Sequence, residues 1–424
     1  MTSALSARIA ADYAAAFPAA ADGRRRAAFA ALSAAGLPST RDENWKYANL
    51  RGLERLSFKP AAGGMALPDP AHLPGRIPGF KRYVFVDGRF APELSEPVSG
   101  VFTSLGETPE PPALSAPPER SVDQRFALLN EVFAADGARL RVASSAGLAR
   151  AELIFVARAE SSAGSSYPRI HIELASGAQL QLIERHLSAA GAASFVNSAV
   201  AVALGEAAEL THYRLQGLSA RSILFDTLNA TLAARACYRL HAVSTGAHAA
   251  RSTQRLRHVG EHARLVMAVA ALGDAQQVQD SFALIEHAAA HARTEQLFRG
   301  IAAGRARVAF NGKIVVAKGA VGTDTQQSLR GLLAGADAEI DVRPQLEIYT
   351  DDVRCSHGAT AGKLDDNMLF YLLSRGLEPE VALRLLKWAF LADAFARIEV
   401  PELRRQIEEN LAAVLQDRAL KELL

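Results

Sequence analysis

Two side chains near the end of the chain are of types that bind iron or carry sulfur. Cys355 and His357 lie two residues apart in the segment PQLEIYTDDVRCSHGATAGKLD. If the strand predicted through Val353 continues, both side chains point to the same face of it. A thiolate and an imidazole on one face suit Fe²⁺ and related metals, and a reactive thiol also suits sulfur transfer. The segment therefore predicts a metal or sulfur site at Cys355 and His357.

The same segment does not supply a complete set of ligands. An iron site or cluster usually takes three or four protein ligands, and this segment offers two. Asp351 and Asp352 are candidates to support those ligands, and Gly358 and Gly362 would let the backbone turn sharply or approach a partner. On spacing alone, a structural cysteine and a solvated histidine are favoured. The alternative interpretation is that Cys355 and His357 form part of a metal site whose remaining ligands come from another chain.

Two enzymatic readings compete with a binding site. Cys355 and His357 would serve as nucleophile and base of a thiol enzyme, but no orienting residue is evident beyond Asp351 or Asp352. A polysaccharide lyase or hydrolase would need clustered charged residues and aromatic platforms for sugar, whereas aromatic residues make up only 7% of the chain. A non-enzymatic protein is therefore expected.

The sequence contains other motifs that suggest phosphate or metal binding, but their neighbouring residues do not match such sites. GATAGKL, residues 358–364, ends like a phosphate-binding loop, but its glycines are separated by three residues instead of four, and leucine replaces the Mg²⁺-binding Ser or Thr. His287 and His291 fall in an Ala-rich turn, and His258 and His262 bracket another turn. With no carboxylate or thiol nearby, these four are predicted to be surface histidines rather than metal ligands.

The composition favours a soluble cytoplasmic protein. The chain has 424 residues, 49% of them hydrophobic, and a net charge of +2, which argues against nucleic-acid binding through phosphates. The N-terminus lacks the pattern of a signal peptide, and no apolar stretch is long enough to span a membrane. Of the two cysteines, Cys237 is predicted to be a buried core thiol.

Residues 140–350 alternate apolar and polar side chains, which predicts strands. Turn-like junctions at residues 177, 205, 233 and 260 are 28, 28 and 27 residues apart. So even a spacing favours a stacked β-solenoid over a β-sandwich, and the near absence of helical patterns argues against helical crossovers. The predicted regions are 1–78 (helical, with a linker), 79–145 (mixed), 146–362 (parallel β-helix core) and 363–424 (helical).

Features of the flanking regions complete this picture. KRYVFVDGRF predicts a hairpin, and SVDQRFALLNEVFAADG predicts a helix that Gly137 ends. Asp365 or Asp366 is a plausible N-cap for a helix ending at Gly376. The following helices, one containing Trp388, carry more apolar surface than a helix pair can bury, which predicts docking of a partner.

Four segments resemble the SufB/SufD family of iron–sulfur cluster assembly proteins. The strongest is RPQLEIYTDDVRCSHGATAGKLDDNMLFYLLSRGL, followed by residues 310–340, FNGKIVVAKGAVGTDTQQSLRGLLAGADAEI, and residues 293–301, RTEQLFRGI. RDENWKYANLRGL, residues 41–53, is similar to the N-terminal motif of the SufD branch. Its Trp45 and Tyr47 are expected to pack rather than to take part in chemistry.

The resemblance implies a right-handed parallel β-helix between helical regions, acting as a scaffold for iron–sulfur cluster assembly. It implies pairing with SufB through the β-helix and binding of the ATPase SufC at the C-terminal helices. It places the family's Cys and His on Cys355 and His357, in a cluster site shared with SufB, which would supply a thiolate and a carboxylate. A transient cluster and reduced flavin would belong to the complex, with no cofactor held by this chain alone. A structural homodimer without a cluster remains the alternative.

Overall fold

Helices lie at both ends of the chain and strands fill its middle. The computed structural model describes residues 4–17, 23–39, 42–45, 50–55, 59–60, 67–98, 100–107, 123–158, 164–189 and 191–415. The helices are α1 (Ala4–Ala16), α2 (Gly23–Ala35), α3 (Arg51–Arg55), α4 (Arg125–Phe133), α5 (Asp366–Ser374), α6 (Pro379–Phe395) and α7 (Pro401–Val414). Short 3₁₀ helices span Glu43–Trp45, Pro70–His72, Pro92–Leu94 and Leu105–Glu107.

The strands follow one another with few interruptions. They are β1 (Lys59–Pro60), β2 (Lys81–Val86), β3 (Arg89–Phe90), β4 (Phe102–Ser104), β5 (Ala138–Val142), β6 (Leu148–Ala157), β7 (Gly164–Ser166), β8 (Arg169–Leu174), β9 (Gln179–Ser188), β10 (Ser194–Leu204), β11 (Glu209–Gly217), β12 (Ile223–Leu232), β13 (Cys237–Thr245), β14 (Ala249–His258), β15 (Arg264–Gly273), β16 (Val278–His287), β17 (Arg293–Ala302), β18 (Arg307–Val316), β19 (Thr323–Leu333), β20 (Glu339–Ile348) and β21 (Val353–Gly362).

These strands wind into a parallel β-solenoid with two sheets. Sheet A has the order β20-β18-β16-β14-β12-β10-β8-β5-β4, and sheet B has the order β21-β19-β17-β15-β13-β11-β9-β6-β2-β3. Each coil contributes one strand to each sheet, and from β8 onward every strand pairs in parallel with the strand one coil away. The predicted parallel β-fold with helical ends is therefore confirmed, and the parallel pairing excludes an up-and-down sandwich.

The regular spacing of turns in the sequence reflects the length of one coil. In sheet A, Phe195 pairs with Ile223, Ile223 with Ala249, and Ala249 with Val278, which are steps of 28, 26 and 29 residues. A nearly constant step keeps equivalent side chains stacked from coil to coil. The apolar positions thus form continuous columns inside the solenoid.

One corner of the solenoid is a ladder of residues in the left-handed conformation. Ala207, Arg235, His262 and His291 have φ values of 54°, 58°, 59° and 58°. Each donates its backbone N–H to a carbonyl of the next coil, as His291 does to Val321 at 2.7 Å. The left-handed conformation costs a non-glycine residue roughly 1–2 kcal/mol, and these bonds offset that cost.

Two local predictions before the solenoid have different outcomes. The hairpin is present, since β2 and β3 pair antiparallel around Asp87 and Gly88, which have φ values of 49° and 79°. The prediction that Gly137 ends the helix is wrong, because α4 already ends at Phe133. Gly137 instead allows close approach, since a Cβ there would lie 2.1 Å from the carbonyl oxygen of Arg169.

The N-terminal helices cover the outer face of sheet A through aromatic contacts. Trp45 is buried, with ring centroids 5.3 Å from Phe126 and 5.7 Å from Phe225. The guanidinium of Arg251 lies 5.0 Å from the Trp45 ring. The predicted packing role of Trp45 is confirmed, while Tyr47 lies outside the described residues.

The C-terminal helices cover the outer face of sheet B. Leu391 and Phe395 of α6, with Leu403 and Ile407 of α7, share one buried cluster with Tyr213 of β11. Trp388 is partly buried and packs on Phe395 at 5.2 Å. The solenoid buries part of the apolar surface of these two helices, while Trp388 and Phe390 of α6 are only partly buried, so docking of a partner there stays a prediction. None of the described helices is long and apolar enough to cross a membrane.

Candidate metal half-site at the open end of the solenoid

Cys355 and His357 lie on the last strand of sheet B. In the register of β21 with β19, Cys355 is opposite Thr325 and His357 is opposite Gln327. Cys355 packs against the central core, as does Val353, so alternate residues of β21 face the interior of the solenoid. His357 belongs to that alternating set. The strand therefore directs both candidate ligands toward the end of the interior.

The interior is open at this end of the solenoid. Within the described residues no strand pairs with the outer edge of β20 or of β21. Every residue of β20 is partly or fully exposed, whereas most of β18, one coil earlier, is buried. Cys355 is half-buried and His357 is exposed. Both ligands are therefore accessible to a partner that covers the open end.

The residues on either side of Cys355 and His357 differ in part from the sequence-based expectation. Asp351 and Asp352 lie exposed in the bend before β21. Gly358 and Gly362 make no sharp turn, contrary to expectation, because β21 continues through both. A Cβ at either glycine would meet no atom within 4 Å, so open space lies over this stretch of backbone. The segment GATAGKL is therefore mostly strand and not a phosphate loop.

Two of the four histidines predicted to lie on the surface are buried. His258 and His287 stack inside the solenoid, with ring centroids 4.4 Å apart, and both Nε2 atoms lie within 3.0 Å of Thr294 Oγ1. Burial lowers the pKa of His287 to about 4, and burial together with the neighbouring His287 ring lowers the pKa of His258 well below its ordinary value.

The prediction of surface exposure is confirmed for His262 and His291, because both lie in turns between strands. His262 and His291 are exposed at the left-handed corner, as predicted. His258 and His287 instead end strands on the inward side, and the alternation of those strands carried that signal. Cys237 is buried as predicted, and burial raises its thiol pKa. Across the described residues, no three His, Cys, Asp or Glu side chains converge as a metal site.

Sequence reasoning also missed a buried charged cluster in the middle coils. Arg214 Nη2 lies 2.7 Å from Glu184 Oε1 and 2.8 Å from Asp226 Oδ1. His186 Nε2 lies 2.7 Å from Glu184 Oε1, and His212 Nε2 lies 3.0 Å from Glu184 Oε2. Burial alone would raise the pKa of Glu184, but the charge of Arg214 and these hydrogen bonds hold it well below its ordinary value.

This cluster satisfies its own charges without any added group. It borders a cavity of about 60 Å³ inside the solenoid. In the sequence its signal is a charged residue on an otherwise apolar face, as at Glu184 after Leu180 and Leu182. Because a one-residue slip of a strand would turn these charges outward, the cluster helps to fix the strand register.

The helix that follows the half-site is the least covered of the C-terminal helices. Asp365 caps α5 by accepting the backbone N–H of Asn367 at 2.8 Å, and Gly376 follows its end with φ of 87°, both as predicted. On its surface Phe370 is 72% exposed, and Met368 and Tyr371 are 58% and 55% exposed. These three residues are large exposed apolar side chains of α5, and together they are called here the α5 patch.

Fold and site together define the class of protein: a β-solenoid scaffold with an open end that carries two potential metal ligands. Residues 155–390 match the SufBD core domain of the SUF system for FeS cluster assembly. The chain is 31% identical over 376 residues to the iron–sulfur cluster assembly protein SufD of Escherichia coli, covering 88% of each chain. It is 28% identical over 409 residues to a SufBD family iron–sulfur cluster assembly protein of Synechocystis, covering 91% of this chain and 89% of the relative.

The chain belongs to the SufBD family, and its role is in iron–sulfur cluster assembly. The relatives are named as assembly proteins and not as enzymes.

Proposed function

We propose that this chain is a non-enzymatic scaffold subunit of a cytoplasmic Suf complex, in which it pairs with SufB and holds part of a nascent cluster site. The observation that carries the proposal is the placement of Cys355 and His357 at the uncovered end of the solenoid. A site used for assembly and release must be reachable and incomplete in the free subunit. This half-site meets both conditions.

The open end has the properties of a surface that pairs with strands of another chain. β20 and β21 present unpaired edges, to which a second solenoid can add strands. Ile348 and Tyr349 are 41% and 61% exposed beside these edges, and the inward residues Val342 and Leu346 of β20 are only partly buried. Covering them would bury apolar surface at about 25 cal/mol per Å².

A docked SufB would also complete the ligand set. Two ligands hold iron weakly, so the proposal requires further donors from SufB, a thiolate and a carboxylate. Imidazole is a good ligand for iron, and Cys355 is close enough along the strand to act as a second ligand or as a sulfur carrier. The cluster is cargo in this scheme and leaves after assembly. Reduced flavin belongs, in this scheme, to the assembled complex and not to residues of this chain.

The α5 patch is the surface that we assign to SufC. Its three exposed side chains are adjacent to the half-site in sequence and lie on a short helix whose capping is complete. The two later helices, α6 and α7, pack on sheet B, so less of their apolar surface is available to a partner. An ATPase bound at α5 would therefore act close to the segment that carries Cys355 and His357.

The decisive experiment replaces His357 in the complex with SufB and SufC, purified without oxygen. We expect His357→Ala to leave assembly of the complex unchanged and to lower its affinity for iron by at least about tenfold, since even residues that only support metal ligands contribute that much. Cys355→Ser should have a weaker effect, because a SufB thiolate can carry the sulfur. Iron and acid-labile sulfide per complex are measured.

The matched control is His262→Ala, at an exposed turn of the same solenoid. It should leave the iron content unchanged. Wild-type iron and sulfide in the His357→Ala complex would refute the ligand assignment and leave the chain a structural partner. Recovery of this chain only as a homodimer, from cells that also contain SufB, would refute the pairing.

A further inference from the structure

The interior columns that lead to Cys355 and His357 change from mostly apolar to polar as they approach the open end. All of their members before the two candidate ligands are buried. The column that ends at Cys355 runs through Leu180, Leu210, Tyr238, Leu265, Thr294 and Thr325. The column that ends at His357 runs through Leu182, His212, Leu240, Met267, Gln296 and Gln327.

The last buried member of each column has an oxygen without a partner. Thr325 is 1% exposed and Gln327 is 4% exposed. Neither Thr325 Oγ1 nor Gln327 Oε1 makes a hydrogen bond. An unsatisfied buried polar atom is destabilising, so packing alone does not account for a hydroxyl and an amide where earlier coils place Leu and Met.

The orientation of Gln327 leaves its oxygen available. Its Nε2 donates to Gln296 Oε1 at 2.7 Å and to the carbonyl oxygen of Gly312 at 3.1 Å. Both amide hydrogens are thereby committed, and the carbonyl oxygen is the remaining functional atom. The side chain in register on the open side is His357, one strand spacing of about 4.8 Å away.

We infer that β19 orients the two candidate ligands, with Gln327 Oε1 accepting the ring N–H of His357 and Thr325 Oγ1 donating to the sulfur of Cys355. The inference rests on the proposed metal half-site. Rotation of the exposed His357 side chain brings its N–H onto the amide oxygen. Gln327 and Thr325 are positioning residues in this arrangement, because neither touches the metal.

The arrangement has a chemical consequence for each ligand. A neutral imidazole has one N–H, so donating it to Gln327 fixes the tautomer and leaves the lone pair of the other nitrogen for metal. A hydroxyl that donates to the sulfur of Cys355 would hold that side chain in one orientation at the open end. Both ligands would be prepared before a partner docks.

The tautomer of His357 tests the first contact in the free full-length chain, without iron. Imidazole ¹⁵N spectra are recorded, and the His357 signals are identified by their loss in His357→Asn. We expect one dominant tautomer in the wild type and a mixture in Gln327→Met. Gln327→Asn, which withdraws the oxygen by one methylene group, should also give the mixture, and Gln327→Glu should keep the single tautomer.

The matched control is Gln326→Met, on the same strand but on the exposed outer face. It should leave the spectrum unchanged. A tautomer ratio that is the same in the wild type, Gln327→Met and Gln327→Asn would overturn the role of Gln327. That result would leave the proposed function intact, because iron content in the His357→Ala complex tests the latter separately.

The alkylation rate of Cys355 tests the second contact. Iodoacetamide labelling of the free chain at fixed pH is followed by mass spectrometry of the Cys355 peptide. We expect Thr325→Val to change the labelling rate several-fold, because the sulfur of Cys355 loses the donor that holds it in one orientation. Thr323→Val is the control, since Thr323 is buried on the same strand and already donates to the Ala320 carbonyl at 2.8 Å. Equal rates in the Thr325→Val and wild-type chains would overturn the role of Thr325.

Discussion

Each end of a solenoid exposes its interior and the edges of its last strands, and the two ends of this solenoid differ in how these are covered. At the first end, the antiparallel strands β3 and β4 terminate the two sheets. Phe102 of sheet A stacks on Tyr83 of sheet B at 3.8 Å and packs on Phe90 at 5.2 Å, and these rings close the interior. At the last end, β20 and β21 have no such cover, and inward side chains such as Leu346 remain partly exposed.

The difference identifies which end the chain completes by itself. An unpaired strand edge beside exposed apolar residues invites association, so proteins either cover it or use it. Here the last coil carries only partial protection, through Pro344 and charged residues such as Arg343 along β20. The aromatic closure at the first end stabilises the fold. At the last end the edges of β20 and β21 have no partner strand among the described residues, and the candidate ligands lie on β21.

Removing the closure of the first end should have the largest effect, and the effect should be on stability. We expect Phe102→Ala to lower the free energy of unfolding by about 3–5 kcal/mol, because it leaves a cavity between the two sheets. Tyr349→Ala removes an aromatic ring at the last end, where the side chain is exposed, and should cost less than about 0.5 kcal/mol. Denaturant unfolding measures both. Similar losses would show that the two ends do not differ as described.

A change to the edge of β21 should instead weaken the binding of SufB and leave the stability of the fold nearly unchanged. Arg293 and Asp324 donate their N–H groups to the strand one coil earlier, and Arg354 is equivalent to Asp324. By alternation, Ala359 presents its N–H to the open side. We expect Ala359→Pro to weaken binding of SufB by about tenfold or more with little change in stability, since proline removes an edge donor.

Ala359→Val retains the N–H and is the matched control for this edge. It should bind SufB normally in a quantitative pull-down. Normal binding by the proline variant would place the SufB interface elsewhere on the molecule.

Much of this contrast could be anticipated from the sequence, and the reasons are physical. Alternation and the constant step between turns predict a solenoid because they reflect one strand pair per coil. Cys355 and His357 stand out because their segment resembles the SufB/SufD family, whereas their spacing alone favours a structural cysteine and a solvated histidine. Sequence reasoning assigned His258 and His287 to surface turns, although the alternation that follows Leu256 and Ile285 places both side chains inward. It also missed Glu184 and Arg214, whose partners lie on other coils.

The apolar surface of the C-terminal helices shows a second limit of sequence reasoning. A helix with an apolar stripe must bury that stripe, but the sequence does not show whether the rest of the chain or a partner protein covers it. The stripe of α7 packs on sheet B through Leu403 and Ile407. Only the structure separates this buried stripe from the exposed α5 patch, which is the part of the C-terminal helical region that we propose for docking.

A substitution in the α5 patch should separate the binding of SufC from the binding of SufB. We expect Phe370→Asp to weaken retention of SufC by about tenfold, because it places a charge in an apolar contact, while binding of SufB and the unfolding free energy stay unchanged. Val98→Asp, at another exposed apolar side chain far from α5 in the sequence, is the control. Retention of SufC at the wild-type level by the Phe370→Asp chain would contradict this assignment.

The smallest expected effect concerns acid and the coils of β14 and β16, which lie in the later half of the solenoid. His258 and His287 are buried there with lowered pKa values, that of His287 falling from 6.5 to about 4. Below about pH 6.5 the unfolded chain therefore binds protons that the folded chain excludes, and stability falls as the pH drops toward 4. Stability from this source is complete above about pH 6.5 and is lost progressively below it.

The size of this loss follows from the shift. Between about pH 7 and pH 5.5, a histidine moved from 6.5 to about 4 contributes a loss of about 1 kcal/mol. His287→Gln, which can still hydrogen-bond to Thr294, should reduce the acid sensitivity by that amount, whereas exposed His248→Gln should not. Unfolding free energies at the two pH values measure the difference. Equal acid sensitivity in His287→Gln and the wild type would mean that burial of His287 does not contribute to the acid sensitivity of the solenoid.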